Sequence, residues 1–403
     1  MLQIWFLTAV SALFGLATGL ANAGAPQSAL LKLQLSSNAL GLVGAALPAG
    51  YAAGCFLSAT LFSGFSGKRV LLSGTACSIL ALVSMASARS AALLVAAQFL
   101  FGLASGAVWP FISAWLLDFQ STSIPRVRLL RHYNVSWTGG TAAGMYAGGL
   151  LCEHGWVFET FVLGAICAGM VFLIAAVTRE AHAPKVEPFS LFSKNAPAAG
   201  RQNSHVALTM LIAAALFNLC AIGTKIIISA NYAELNQKLG QDSGRWGLLI
   251  ATGTLAQLAA FGVSKWFEPW LGLRRVYLAG AVTLVAVNLA FSRLTFLPVL
   301  LVAEAALGFA LAVSFQCSIL AFIARSATPR HGTTLFETTI GLSGLAALAA
   351  GKLSQYLKDS GTNTLEALRA PFYAAMAFIA LALAVQWFLV PADRARRHLA
   401  CDA

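Results

Sequence analysis

The chain has 403 residues, of which 59% are hydrophobic and only 10% charged, and its formal net charge is +12. Ordinary globular proteins carry about 25% charged residues, so this composition excludes a soluble domain of any size. The sequence also lacks a phosphate-binding glycine loop with lysine, a His/Cys metal spacing and a nucleophile elbow. We therefore expect neither enzymatic activity nor a cofactor or metal.

Twelve apolar stretches of about 17 to 29 residues follow one another, separated by short polar loops. About 20 apolar residues in a helix cross a hydrocarbon core about 30 Å thick, because a helix satisfies its own backbone there. The sequence therefore predicts an all-α polytopic membrane protein. The predicted helices are 3–24, 40–65, 70–87, 91–118, 133–152, 156–178, 205–230, 244–264, 275–293, 296–325, 333–357 and 370–390.

The distribution of basic residues predicts the orientation. If the N-terminus is cytoplasmic, the loops and tail on that side hold 17 lysines and arginines, against 8 on the other side. This bias obeys the positive-inside rule, so we expect a multi-pass protein of the cell membrane with both termini cytoplasmic. Topology thus explains the positive charge, and nucleic acid is not an expected partner. Residues 1–24 end in a fair match to a signal-peptidase site, but no basic n-region precedes it, which favours a first membrane helix.

The chain divides in the middle. Residues 179–204 hold three prolines and mixed charges, which is typical of a flexible connection. The halves correspond at an offset of 206 residues: Arg69-Val70 with Gly74 matches Arg275-Val276 with Gly280, and the segment 98–102 matches 304–308. This pattern predicts a duplicated six-helix unit. The expected parts are an N-terminal bundle (1–178), a cytoplasmic linker (179–204), a C-terminal bundle (205–391) and a cytoplasmic tail (392–403).

Six plus six helices, internal termini, a central loop and basic turns after helices 2 and 8 resemble the major facilitator superfamily of secondary transporters. That family's loop after helix 2 usually reads G-x-L-x-D-R-x-G-R-R. Here Gly67, Lys68 and Arg69 match its end, whereas Gly64 and Phe65 replace its Asp-Arg pair. The resemblance implies two pseudo-symmetric six-helix bundles and makes the basic turns candidate parts of the gate. The gating candidates in these turns are Lys68, Arg69, Arg274 and Arg275.

Helix 4 resembles the family's R-F-L-x-G-x-x-x-G motif from Gln98 to Gly106, with Gln98 in place of the arginine. A neutral amide cannot supply that buried positive charge. Gln98, Ser105 and Trp109 recur at intervals of seven and four, which places them on one helical face. In the family, helices 1, 4, 7 and 10 line a central cavity, so this face either contacts substrate or forms an interhelical packing seam.

Ionisable groups inside membrane helices are strong indications of a site, because an unpaired charge costs about 2.5 to 3.5 kcal/mol at mid-bilayer. Lys225 shares a face of helix 7 with Asn218, and either binds an anionic group or snorkels from about five residues inside the predicted outer end. Glu304 on helix 10 is about 12 Å from the outer end of its span. It is expected to be a proton carrier, the partner of a cation or a structural partner of Lys225.

Three further residues are candidates for the cytoplasmic gate. Asn134 and Trp137 lie near the inner end of helix 5, and Glu337 lies near that of helix 11.

The sequence thus predicts a monomeric secondary transporter that moves a small organic solute by alternating access. Its expected partners are the solute, membrane lipid and, if transport is coupled, protons. A facilitative uniporter and a lipid or amphiphile transporter are alternatives. A second class is a non-transporting receptor or scaffold on the same fold. Substrate identity and direction do not follow from the sequence.

Overall fold

The computed structural model describes residues 2–60, 65–117, 126–178, 204–271, 273–325 and 329–390. Throughout these residues the regular secondary structure is helical, which confirms the predicted fold class. The first half contains α1 (Leu2–Gln27), α2 (Ser37–Thr60), α3 (Gly67–Ala86), α4 (Ala91–Leu117), α5 (Arg126–Glu153) and α6 (Val157–Val177). The second contains α7 (Ser204–Lys238), α8 (Ser243–Gly262), α9 (Arg274–Arg293), α10 (Leu297–Arg325), α11a (Pro329–Leu342), α11b (Leu345–Asp359) and α12 (Thr364–Leu389).

Short elements complete these halves. A π-helical turn (Ser28–Lys32) follows α1, and a short helix (Ser264–Phe267) with a 3-10 turn (Glu268–Trp270) joins α8 to α9. We call the end of the bundle that carries the starts of α1 and α7 the inner end, and the opposite one the outer end. The inner end is the one that the sequence predicts to be cytoplasmic. Most of the predicted linker (179–203) and the predicted tail (392–403) lie outside the described residues.

Nine of the described helices are long and apolar enough to cross a membrane by length and composition. The other helices are α5 and α8, which are less apolar, and α11, whose two parts of 14 and 15 residues are each too short. These three helices pack between other helices: α5 against α1 and α8, α8 against α5 and α10, and α11 against α2. Protein therefore covers faces that lipid would otherwise contact, so their polar and glycine residues need not face hydrocarbon.

Several predicted helix ends were wrong. α7 continues to Lys238, well past the predicted end at position 230, although Asn231, Glu234 and Asn236 make that segment look like a loop. These three side chains are buried, so the polar segment is helical because protein surrounds it. α5 begins at Arg126 and not at 133, and α12 begins at Thr364 and not at 370. Helix 11 is broken in two between Leu342 and Leu345.

The internal repeat is visible in the structure. Ser36 caps the backbone at the start of α2, and Asp242, its counterpart in the second half, caps the start of α8. Gly155 after α5 and Gly361 after α11 both have positive φ, at +81° and +85°, which ends each helix in the left-handed region. The sequence offset thus identifies structurally equivalent positions in the two halves.

Helix packing repeats in the same way. In the first half α1 packs on α5 and α6, α3 packs on α4 and α6, and α2 packs on α4. In the second half α7 packs on α11 and α12, α9 packs on α10 and α12, and α8 packs on α10. The main contacts between the halves, α5 with α8 and α2 with α11, are also equivalent to each other. This is the arrangement of two six-helix bundles about a pseudo-twofold axis.

Candidate functional site

A cavity of about 270 Å³ lies between the two bundles. Helices of both halves line it, including α1, α2, α4 and α5 on one side and α7, α8, α10 and α11a on the other. Its volume is near the lower limit of ligand pockets, which are about 300 to 1,000 Å³. The polar and aromatic lining residues are Thr18, Asn22, Tyr51, Gln98, Ser105, Trp109, Tyr133, Trp137, Thr141, Asn218, Lys225, Ser229, Thr254, Gln257, Phe315 and Glu337.

The predicted face of α4 lines this cavity. Gln98, Ser105 and Trp109 are all buried lining residues, with exposed fractions of 3%, 2% and 6%. Gln98 Oε1 and Ser105 Oγ find no hydrogen-bond partner among the described residues. Buried polar atoms in proteins are normally paired, so two unpaired atoms on one cavity wall are available to a bound solute or water. Proline at position 110 lies within the helix, which continues to Leu117.

Lys225 and Glu304 form an ion pair beside the cavity. Lys225 Nζ lies 3.3 Å from Glu304 Oε2 and 3.4 Å from Oε1, and it also donates to the backbone carbonyl of Ile250 at 3.1 Å. Lys225 is a lining residue, whereas Glu304 lies behind it and is fully buried. Space for the pair exists because Gly253 has no side chain: a Cβ there would contact the Glu304 carboxylate and, at 3.1 Å, Lys225 Nζ.

The predicted depth of Lys225 was wrong. α7 extends more than three helical turns beyond it to Lys238, so the side chain is too far from the outer end to snorkel to water. Asn218, on the same helix, lines the cavity: its amide donates to Thr339 Oγ1 at 3.4 Å, and its carbonyl accepts from Ser314 at 3.5 Å. The structure therefore brings Asn218, Lys225 and the α4 residues to one cavity.

The three inner-gate candidates lie at the inner end of the cavity. Tyr51 of α2 donates a hydrogen bond of 2.8 Å from its hydroxyl to Glu337 Oε2, and so joins the two bundles. Trp137 donates to Asn134 Oδ1 at 3.2 Å, and the centroid of its ring lies 6.1 Å from that of Phe315 in the other bundle. Tyr51 was not predicted from the sequence, because a lone tyrosine in an apolar helix gives no signal until its partner in the other half of the chain is known.

A second polar link between the bundles, also missed, lies at the outer end. Ser37 of α2 donates to Glu234 Oε2 of α7 at 2.7 Å, and Lys358 of α11b lies 2.6 Å from Glu234 Oε1. Lys358 also donates to Ser37 Oγ. Nearby, Ser243 of α8 donates to Gln27 Oε1 of α1 at 2.9 Å. We call Ser37, Glu234 and Lys358 the outer triad. It holds the two bundles together beyond the cavity.

The basic turns make contacts within their own bundles. Lys68 donates to the carbonyls of Ala176 and Thr178 at the end of α6, at 2.7 and 2.9 Å. Arg274, the counterpart of Lys68 in the second half, donates to the carbonyl of Trp387 at the end of α12 and lies over its ring. A cation at a helix C-terminus satisfies free carbonyls and the helix dipole. Arg69 and Arg275 are exposed on the same surface.

Comparisons with known proteins agree with this architecture. The family model of the Major Facilitator Superfamily matches residues 7–347. A variant of the nucleoside transporter NupG aligns with a TM-score of 0.74 and 12% identity over 96% of this chain and 100% of the other. The D-xylose-proton symporter aligns with a TM-score of 0.72 and 13% identity over 96% and 98%. A bacterial homologue of the human lysosomal transporter Spinster, inward-facing and unoccupied, aligns with a TM-score of 0.66 and 17% identity over 96% of each chain. No curated protein matched the sequence. At these identities, the solved structures establish the fold.

Proposed function

The chain belongs to the Major Facilitator Superfamily of secondary transporters, and we propose that it carries one small organic solute per cycle in the central cavity by alternating access. The observation that carries this proposal is a cavity walled by both bundles, on which Gln98 and Ser105 present unpaired polar atoms. A solute bound there would contact both bundles and would be released when they rock apart. Members of this family are multi-pass membrane proteins.

Rocking needs contacts between the bundles that can break and form again. The outer triad and the Tyr51–Glu337 hydrogen bond lie at the two ends of the cavity and each joins one bundle to the other. Such polar contacts are suited to gates, because their groups can exchange a protein partner for water when a gate opens. We therefore assign the outer triad to the outer gate, and Tyr51, Glu337, Asn134 and Trp137 to the inner gate.

Proton coupling is assigned to the Lys225–Glu304 pair. While paired, the Glu304 carboxylate is neutralised by Lys225, which is the member in contact with the cavity. A conformational change or a solute that moves Lys225 away would leave the Glu304 carboxylate buried and unpaired, which is energetically costly. Protonation of Glu304 would remove this charge. The pair can thus link proton binding to the state of the cavity. A facilitative uniporter would use the same cavity without this exchange.

The test is a ligand-stabilisation screen on purified protein, followed by uptake of each hit into proteoliposomes. A ligand at 100 times its Kd stabilises the folded state by about 2.7 kcal/mol. Uptake should fall in Ser105→Ala and Gln98→Ala. It should be kept in the matched control Ser84→Ala, whose hydroxyl bonds only to Leu80 of its own helix. A ligand that stabilises the protein but never crosses the membrane would instead favour the receptor class.

A further inference from the structure

The inner end of the cavity combines one carboxylate with five aromatic rings. Glu337 lines the cavity together with the rings at positions 51, 109, 133, 137 and 315, which come from α2, α4, α5 and α10. Four of these rings contact one another, with ring centroids 6.0 Å apart for Trp109 and Tyr133, 6.3 Å for Trp109 and Trp137 and 6.1 Å for Trp137 and Phe315. We call Glu337 and these five rings the aromatic end of the cavity.

The carboxylate at this end has no cationic partner among the described residues, where the ion pairs are Lys225–Glu304, Lys358–Glu234 and Arg369–Glu366. Glu337 is only 4% exposed, and Tyr51 gives it a single neutral hydrogen bond. A buried carboxylate is normally paired with a cation or bound to several donors. The arrangement leaves a position for a positive group inside the cavity.

The charged groups around the whole cavity also indicate a position for a cation. Among the described lining residues Lys225 has the only ammonium group and Glu337 the only carboxyl group, and Lys225 is already paired with Glu304 behind it. With Glu337 ionised, the cavity and its ion pair together therefore carry one excess negative charge. A solute with a single positive charge would restore neutrality, whereas an anion would add to the excess.

The rings supply the second feature of cation recognition. An ammonium group is attracted to the face of Trp, Tyr or Phe rings within about 6 Å, and cages of such rings bind alkylated ammonium groups. Aromatic rings also stack on the apolar part of an organic solute. A cavity of about 270 Å³ limits that solute to one small ring or a short chain beside its charged group.

From these observations we infer that the solute is a small organic monocation, whose ammonium group binds at the aromatic end of the cavity against Glu337. The rest of the solute extends toward Gln98 and Ser105, which offer hydrogen bonds to its polar groups. This inference rests on the proposed function and narrows it to one substrate class.

The experiment titrates full-length protein in lipid nanodiscs and follows the fluorescence of its tryptophans. Three probes that share a benzyl group and differ in charge are compared at one pH: benzyltrimethylammonium, benzyl alcohol and phenylacetate. The permanent cation should bind at least about tenfold more tightly than the other two, since only it gains both the Coulomb attraction of a buried carboxylate and the cation–π attraction of the rings. Equal or tighter binding of the neutral or anionic probe would overturn the inference, as would failure of the cation to bind. This comparison uses the wild-type chain and needs no variant.

A variant then locates the contact. Glu337→Gln keeps the shape and the hydrogen bond from Tyr51 but removes the charge, so it should lose about tenfold or more in affinity for the cation and keep its affinity for benzyl alcohol. Glu159→Gln, an exposed acid on α6, is the matched control and should bind the cation as wild type does. Unchanged cation affinity in Glu337→Gln would overturn the assignment. Binding of benzyl alcohol or phenylacetate alone would refute the cation class and leave the transporter proposal standing, which solute counterflow tests separately.

Discussion

Lys225 Nζ lies 3.3 Å from Glu304 Oε2, in a pair whose acid is wholly enclosed and whose base touches the cavity. This asymmetry makes the pair sensitive to what occupies the cavity. A solute that attracts Lys225 would leave the Glu304 carboxylate buried without its partner. Because the pair is buried, replacing either residue alone should lower the stability of the protein more than replacing both.

The stability of the pair can be measured with a double-mutant cycle. Lys225→Met leaves the Glu304 carboxylate buried without its cation, so we expect a loss of about 3–5 kcal/mol of unfolding free energy. Lys225→Met combined with Glu304→Gln should recover much of this loss, because no charge is left unpaired. Thermal or denaturant unfolding of the purified protein measures the stability of both variants. Equal stability of Lys225→Met and the double variant would contradict the pairing.

Coupling is tested with Glu304→Gln. In a proton-driven transporter this variant should lose accumulation driven by a pH gradient, because the amide takes up no proton, but should keep part of its solute exchange. Uptake into proteoliposomes with and without the gradient separates the two activities. If gradient-driven accumulation is undiminished, Glu304 is not the essential proton carrier.

Removal of the outer triad's acid should open the outer gate. Glu234→Gln abolishes the ion pair with Lys358 and weakens the bond from Ser37, so conformations open to the outside should become more populated. A reporter cysteine at Asn22, a lining residue near the outer end of α1, should then react faster with a membrane-impermeant thiol reagent added outside intact cells. Glu366→Gln, which breaks an exposed pair within α12, is the control and should leave the rate unchanged. Equal rates in Glu234→Gln and the control would remove the triad from the gate.

The repeat gives a prediction about helix packing. A Cβ at Gly102 would collide with the carbonyl oxygen of Leu47, and a Cβ at Gly308, the equivalent position in the second half, would collide with that of Gly253. Backbone atoms cannot give way cheaply, so Gly102→Ala and Gly308→Ala should both lower the unfolding temperature. Gly169→Ala in α6, where nothing lies within 4 Å, should gain up to about 1 kcal/mol from helix propensity. A neutral result at Gly102 and Gly308 would contradict the close approach of α2 to α4 and of α8 to α10.

The predicted orientation of the protein in the membrane rests on the excess of lysine and arginine in the loops and tail of one side. We propose that residues 179–204 and the tail with its arginines at positions 394, 396 and 397 are cytoplasmic, although 179–203 and 391–403 lie outside the described residues. A cysteine introduced at Ser193 should be protected from an impermeant reagent in intact cells and react after permeabilisation. Labelling from the outer face would reverse the orientation.

The fold was predictable from the sequence because its cause is local. Apolar runs of sufficient length specify membrane helices, and the offset between Arg69 and Arg275 specifies the duplication. The limits of helices were predicted less well where buried polar residues extend a helix, as Glu234 does in α7, or where a helix breaks in two, as α11 does between Leu342 and Leu345.

The candidate site was predictable only in part. Gln98, Ser105 and Trp109 follow from their spacing on one helix, and all three line the cavity. Partners in the other half of the chain do not follow from spacing: Tyr51 contacts Glu337, and Ser37 contacts Glu234. These contacts depend on how two bundles dock, which no local pattern records.

Solute counterflow is the most direct test of alternating access. Proteoliposomes containing the purified protein are loaded with a high concentration of a solute from the stabilisation screen and diluted into a trace of the same labelled solute. A carrier whose cavity opens to one side at a time should accumulate label transiently above its equilibrium level, and Gln98→Ala should reduce this peak. If the label rises to equilibrium without exceeding it, or does not enter, the protein does not work by alternating access.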